Sequence, residues 1–303
     1  MHSPLNRFAM FAAAATFVLT TTAACGTAQD GAGGACPDGG VRFGIEPYED
    51  PAKLTPAYRV LADALQRKLD CNVELKVVDD YSGEVLAMRN EQLELAQFGP
   101  LGYVFASRKA DAEPLVSFAD AEGRLTTYTG GIWVPKDSDI QDIEDLRGRT
   151  LALGAVGSTS GDALPRYALR EAGLAERNVR IDYAGGHPEA LLALTNGKVD
   201  AAEINSQQLA AAKAEGTFDE SRYRRIWESD PIPNDPITVR GSLAPEFKNR
   251  VKEALLDLAP ADVEKVGQYL DVDPPGPLVE VDEKTYRPLF RLADTLGLSE
   301  DDA

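Results

Sequence analysis

The sequence predicts an α/β protein of two similar lobes, each a mostly parallel sheet flanked by helices, with a ligand cleft between them. Three observations predict it. Short apolar runs alternate with helical patterns from residue 41 onward. The same order recurs in the second half of the chain, without a sequence repeat. Clusters of small polar residues follow several of the strands directly, where open α/β sheets bind their ligands.

The elements follow in order. "VRFGIEP" is a strand, and Leu54, Tyr58, Leu61, Leu65 and Leu69 then recur at helical spacing through "KLTPAYRVLADALQRKLD". "NVELKVV" alternates like a strand, "SGEVLAMRNEQL" is helical, and "LELAQFGP" is a strand ending in a turn. The second series is strand "TTYTGGIWVP", a short helix at "IQDIEDLRG", strand "TLALGAV", a helix from Asp162, strand "RIDYAG", helix "PEALLALTNG" and strand "VDAAEI". The stretch from Tyr223 begins strand-like and continues as a helix to Leu258, and "SEDDA" closes the chain as a charged tail. The chain then crosses between lobes near Thr126 to Gly131 and again near Trp227 to Asp235. This assigns residues 41–128 plus 232–303 to lobe 1 and 129–231 to lobe 2.

The N-terminal residues read as processing signals. Arg7, an apolar stretch from Phe8 to Leu19 and small residues up to Cys25 have the layout of a secretory signal over residues 1–24. The stretch is short for a membrane span. "TTAAC" resembles a bacterial lipoprotein signal, which implies lipid on Cys25, a tether over residues 25–40 and a place on the outer face of the cell membrane. Thr22 departs from the aliphatic residue usual there, and the alternative is cleavage at the alanines with Cys25 a free thiol. With Cys25 lipidated, Cys36 and Cys71 are an even pair in an exported chain, which suggests a disulfide, two buried thiols being the alternative.

The formal charge is -18, and Arg7 is the only charged residue before Cys25, so the exported chain stands at -19. Such a balance argues against nucleic acid and anionic lipid as partners. An anion site in this chain must therefore work through local dipoles. The loop "GSTSG", residues 157–161, has that character. Gly157 lets the backbone leave the strand tightly, Ser160 serves as N-cap or first-turn residue, and Gly161 keeps side chains away from the exposed amides. A helix N-terminus with three adjoining hydroxyls can saturate a tetrahedral oxyanion without a lysine. The plainer reading is a helix cap on a solvent loop.

"VRFGIEPYEDP", "DDYSGEVLAM", "LELAQFGPLGYV", "GSTSGDALPRY", "AGGHPEALLALTNGKVDAA" and "WESDPIPNDPITVR" occur in one order from about Val41 to Leu258. In these segments the chain resembles the phosphonate/phosphite substrate-binding proteins of ABC importers. The resemblance implies a periplasmic-binding-protein-like fold, a hinge-closing monomer without enzymatic activity or cofactor, and an ABC permease as partner. It also implies that Ser158, Thr159 and Ser160 hold the oxygens on phosphorus and that Tyr81 reaches them from the other lobe. Phe98 stands where relatives often have Tyr, leaving a wall contact without a hydroxyl.

His187 matches a histidine near the ligand. It is the only histidine once His2 leaves with the signal, so no imidazole pair exists for a metal. Asp235 matches a carboxylate at the second crossing. Relatives that take aminoalkylphosphonates carry a second acid where this chain has Gln207, which implies a preference for phosphonates or phosphite without an amine. Asn205 and Ser206 beside it suit a small neutral or hydroxylated substituent, and Glu203 has no evident place. Other small ligands, phosphate, a sulfonate or a thiamine precursor, are the competing reading within binding proteins. A hydrolase using Ser158 or Ser160 with His187 is the competing reading among enzymes, although no Gly-x-Ser-x-Gly elbow is present.

Overall fold

The computed structural model describes residues 36, 37 and 39–299. The signal, Cys25 and most of the tether lie outside the described residues. The chain starts with β1 (Val41–Ile45), α1 (Pro51–Leu69), β2 (Val73–Val77), α2 (Tyr81–Arg89), β3 (Leu95–Gln97), α3 (Pro100–Ala110) and β4 (Glu113–Asp120). It passes through the two-residue β5 (Thr127–Tyr128) into β6 (Gly131–Pro135), β7 (Thr150–Leu153), α4 (Leu164–Glu171), β8 (Arg180–Tyr183), α5 (His187–Thr195), β9 (Ala201–Glu203), α6 (Ser206–Ala214) and β10 (Tyr223–Glu228). It returns through β11 (Ile232–Pro233) to β12 (Ile237–Val239), α7 (Pro245–Leu256), α8 (Pro260–Tyr269), β13 (Pro275–Glu280) and α9 (Glu283–Leu296).

Two sheets result. One has the order β13-β4-β12-β3-β1-β2, the other β10-β6-β9-β7-β8. The short β5 and β11 pair antiparallel with each other, Ile232 opposite Tyr128, so both passages between the lobes are stitched into one ladder.

The expectation of mostly parallel sheets holds in one half of each. β3-β1-β2 and β9-β7-β8 are parallel, whereas β12 beside β3 and β6 beside β9 run against them, and β4, β13 and β10 are each antiparallel to the neighbour through which they join the sheet. The cause is the double passage between sheets. A strand that re-enters a sheet from the other lobe arrives from the end where the parallel strands finish, and so lies antiparallel to them.

Helical spacing in α1 places Leu54, Tyr58, Leu61, Leu65 and Leu69 in the core, with the Asp50 side chain accepting from Ala52 N–H as cap. "FGP" is more than a turn: Gly99 and Pro100 open α3, whose buried face includes Leu101, Tyr103, Val104 and Phe105. The short helix at "IQDIEDLRG" is a single 3₁₀ turn, Ile143–Leu146, capped by Asp142. Cys36 is disulfide-bonded to Cys71, fixing the start of the described chain beside the turn before β2. Among the described residues, no helix is long and apolar enough to cross a membrane.

Candidate functional site

The donor-rich loop lies beyond the C-terminal end of β7. Gly157 takes φ +85°, a left-handed conformation that suits glycine. Ser158 is the N-cap: its Oγ accepts from Gly161 N–H at 3.2 Å. The helix then opens as a wide π-turn, Thr159–Ala163, rather than at Asp162, and tightens into α4. Ser160 falls in that first turn. π-turns are concentrated at functional sites because they re-aim side chains. Gly161 has a specific steric reason: a Cβ there would stand 2.9 Å from both His187 Cε1 and Ser158 Oγ.

His187 begins α5 and is buried, its Nε2 3.4 Å from Ser158 Oγ. Its Nδ1 is bonded to the carboxylate of Glu203, the last residue of β9 and fully buried. Burial alone pushes the imidazole toward its neutral form, but the charge and hydrogen bond of Glu203 outweigh this, and the net shift is upward. Asn205 joins the same cluster. Its Nδ2 donates to Ser160 Oγ at 3.2 Å while its Oδ1 caps α6 by accepting from Gln208 N–H.

The first lobe supplies the facing wall. Leu101 N–H, one of the unpaired donors at the start of α3, donates to Thr159 Oγ1 at 2.9 Å. Tyr81, the first residue of α2, faces the Ser158 side chain across the cavity, and Tyr128 of β5 faces those of Ser160 and Thr159. Burial, reinforced by nearby carboxylates, pushes both phenols well above their ordinary value, so they stay neutral O–H groups.

Those carboxylates are Glu46, just after β1, and Asp235, just before β12. Glu46 is 2% exposed and lies against the Gly99 backbone. A Cβ on Gly99 would lie 2.7 Å from Glu46 Oε1, so the close approach requires glycine. Burial, and then Asp235, push Glu46 well above the usual carboxylate range. Burial also raises Asp235, up to about 7, against a 3.4 Å bond from Gln97 Nε2 and the opposing pull of His187.

Glu46, Tyr81, Tyr128, His187, Asp235 and the three hydroxyl residues surround a cavity of about 30 Å³ between the two sheets. The sequence-predicted Tyr81, Ser158, Thr159, Ser160, His187, Gln207 and Asp235 all line it. Phe98 does not. It is fully buried in the hydrophobic core beneath α3, turned away by the start of that helix. Gln207 reaches the cavity, but its Nε2 donates to Asn234 Oδ1 at 2.8 Å and Leu270 O at 3.2 Å. Ser206 Oγ accepts from Thr129 N–H, away from the cavity.

Sequence reasoning missed Glu46 and Tyr128. Both were within reach of the rule that selected the other residues: Glu46 directly follows a strand, and Tyr128 lies in the first passage between lobes.

A family model described as "ABC transporter, phosphonate, periplasmic substrate-binding protein" matches residues 43–286. The chain is 26% identical to the phosphonates-binding periplasmic protein of Escherichia coli over 230 residues, 74% of this chain and 68% of that one. It is 28% identical to the phosphate-import protein PhnD of Mycolicibacterium smegmatis over 217 residues, 68% of each. In fold it is similar to PhnD1 of Prochlorococcus marinus, solved in complex with methylphosphonate. That match has a TM-score of 0.74 at 18% identity and covers 85% of this chain and 98% of that one. A binding protein component of an ABC phosphonate transporter from Pseudomonas aeruginosa superposes with a TM-score of 0.73 at 24% identity, over 83% and 84% of the two chains.

Proposed function

The chain belongs to the family of periplasmic substrate-binding proteins of phosphonate ABC transporters, and from that premise we propose that it captures a small phosphonate or phosphite-type oxyanion. In this reading it is a monomeric lipoprotein, held by Cys25 on the outer face of the membrane, that hands its ligand to an ABC permease. Residues 41–128 plus 232–303 and residues 129–231 are the two lobes, turning about the β5–β11 ladder.

The observation that carries the proposal is the donor wall. Three hydroxyls on the first turn of a helix, two neutral phenols and an imidazole converge on one small cavity. Charge-assisted bonds from such donors are worth about 1.5–3 kcal/mol each, and diffuse repulsion from surface carboxylates is screened beyond about 8 Å at physiological salt. Local geometry thus outweighs the net charge of -18.

The order Ser158, His187, Glu203 invites a hydrolytic reading, and the placement of Ser158 favours binding instead: its Oγ is engaged as N-cap, accepting from Gly161 N–H, and stands 3.4 Å from His187 Nε2. Glu203, bonded at Nδ1, raises the imidazole pKa and so favours the form whose Nε2–H donates to a ligand oxygen. Small-angle scattering tests the proposal. Saturating methylphosphonate should reduce the radius of gyration of the ligand-free protein. An unchanged profile, with binding established by calorimetry, would reject hinge closure.

A further inference from the structure

The side of the cavity opposite the hydroxyls is made of acceptors. Glu46 Oε2 is buried and has no hydrogen-bond partner. Its other oxygen, Oε1, lies against the Gly99 backbone. Asp235 has only the long bond from Gln97. Among the described residues lining the cavity, none is lysine or arginine. The groups facing the pair are the phenols of Tyr48, Tyr81 and Tyr128, the buried Glu84, and His187 from the other wall. Gln207 cannot serve here as a donor, because its amide hydrogens are directed to Asn234 and Leu270.

A buried carboxylate oxygen without a donor is costly, and a second carboxylate nearby raises that cost. Below about pH 7 the raised pKa values leave protons on the pair, which can then donate to a bare oxyanion. Once the pair ionises, a ligand must supply what the protein withholds. An oxyanion carrying a proton or an ammonium presents a donor to the carboxylates while its bare oxygens face Ser158, Thr159 and Ser160, and an oxyanion without either sets oxygen against oxygen.

We propose that Glu46, acting with Asp235, determines specificity by requiring a hydrogen-bond donor on the ligand. With the pair ionised, the site admits acidic or amine-bearing oxyanions and rejects fully deprotonated ones. The proposal rests on the reading of the site as an oxyanion receptor. It revises the sequence expectation that Asp235 alone meets an amine and that Gln207 disfavours one: the acid that Gln207 lacks is present at Glu46, on the other lobe.

Two pairs of ligands with matched substituents separate the possibilities by calorimetry at pH 8, above the value of about 7 to which burial raises Asp235. Methanesulfonate has neither donor, methylphosphonate retains P–OH in part, 2-aminoethanesulfonate has ammonium, and 2-aminoethylphosphonate has ammonium on a phosphonate. Methanesulfonate should bind at least tenfold more weakly than the tightest of the other three, the gap reaching about a hundredfold. A gap between methylphosphonate and methanesulfonate identifies P–OH as the donor used. A gap between the two sulfonates identifies ammonium. Glu46→Gln should narrow the gap about tenfold, since an amide can turn its N–H₂ to a bare oxygen.

Methanesulfonate within tenfold of all three would overturn the inference in the wild-type protein, whether or not the variant folds. An unchanged gap in a folded Glu46→Gln protein would overturn the part assigned to Glu46. If no phosphorus ligand binds, the receptor function fails with it, whereas equal binding of phosphonate and sulfonate leaves that function standing.

Discussion

The two walls of the cleft are built in opposite ways. On the β7–β9 side a contiguous string, Ser158 to Gly161, presents donors, and the acid next to the imidazole, Glu203, is engaged by His187. On the β1–β12 side, Glu46 and Asp235 reach the cavity from positions 189 residues apart and present acceptors with almost no protein donors. Both walls contain buried acids, but only one pairs its cavity acid with a basic side chain, His187. The difference teaches that an anion receptor of high negative charge needs no lysine or arginine in its cavity if one wall holds the anion with oriented dipoles and an imidazole and the other is completed by the ligand's own hydrogens.

The sharpest way to break this asymmetry is to strip the donor wall. Replacing Ser158, Thr159 and Ser160 together by Ala removes three hydroxyl donors and should weaken binding of methylphosphonate at least about a thousandfold. Loss of the Ser158 cap should lower stability by only about 1 kcal/mol. Near-native affinity in calorimetry would reduce the loop to a helix cap.

A smaller effect is expected from uncoupling His187. Its pKa is raised, so the charged imidazole is present below that pKa and affinity falls as pH rises through it. Glu203→Gln removes the raising charge and should move the fall in affinity to lower pH, with binding about tenfold weaker at pH 7.5. Protein lacking residues 1–24 has His187 as its sole histidine, so imidazole resonances in an NMR titration report the shift directly. A midpoint that does not move would separate Glu203 from the binding chemistry.

The smallest effect concerns stability on the acceptor side. Glu84 is fully buried beside β1, and neither oxygen has a partner. Burial, with Glu46 and Asp235, raises its pKa well above 4.5. A carboxyl that binds its proton more tightly folded than unfolded makes stability fall as pH rises from about 4.5 through the folded pKa. Glu84→Met should therefore stabilise the fold by about 1–3 kcal/mol at pH 8 and by little at pH 4. Equal effects at both pH values in denaturant titrations would show that the carboxyl is not the cause.

The donor wall was legible in the sequence because its chemistry is local. Five consecutive small residues between an apolar run and a helical pattern have one good structural use. His187 was legible as the neighbour of a similar strand end, and Tyr81 through the family resemblance. The acceptor wall was not, because each member looks ordinary in its own context. Glu46 reads as the polar residue that ends a strand, and Tyr128 as one aromatic in a strand-like run. The Glu203–His187 pair joins positions brought together by the parallel neighbours β7 and β9, an adjacency that only the sheet order reveals. α3 was hidden for a different reason. Gly99 and Pro100 are strong turn signals, and an all-round apolar segment has too little periodicity to argue back.

On the proposal that the chain is anchored through Cys25, the covalent link between Cys36 and Cys71 acquires a mechanical meaning. A tether pulled at its membrane end loads the chain from residue 36 inward, and the first element in line is β1, whose end carries Glu46. Hydrogen bonds of a strand pulled from one end open one at a time. The bridge diverts the tension into the turn before β2, so β1 is shielded from peeling and the carboxylate at its tip keeps its position while the membrane moves.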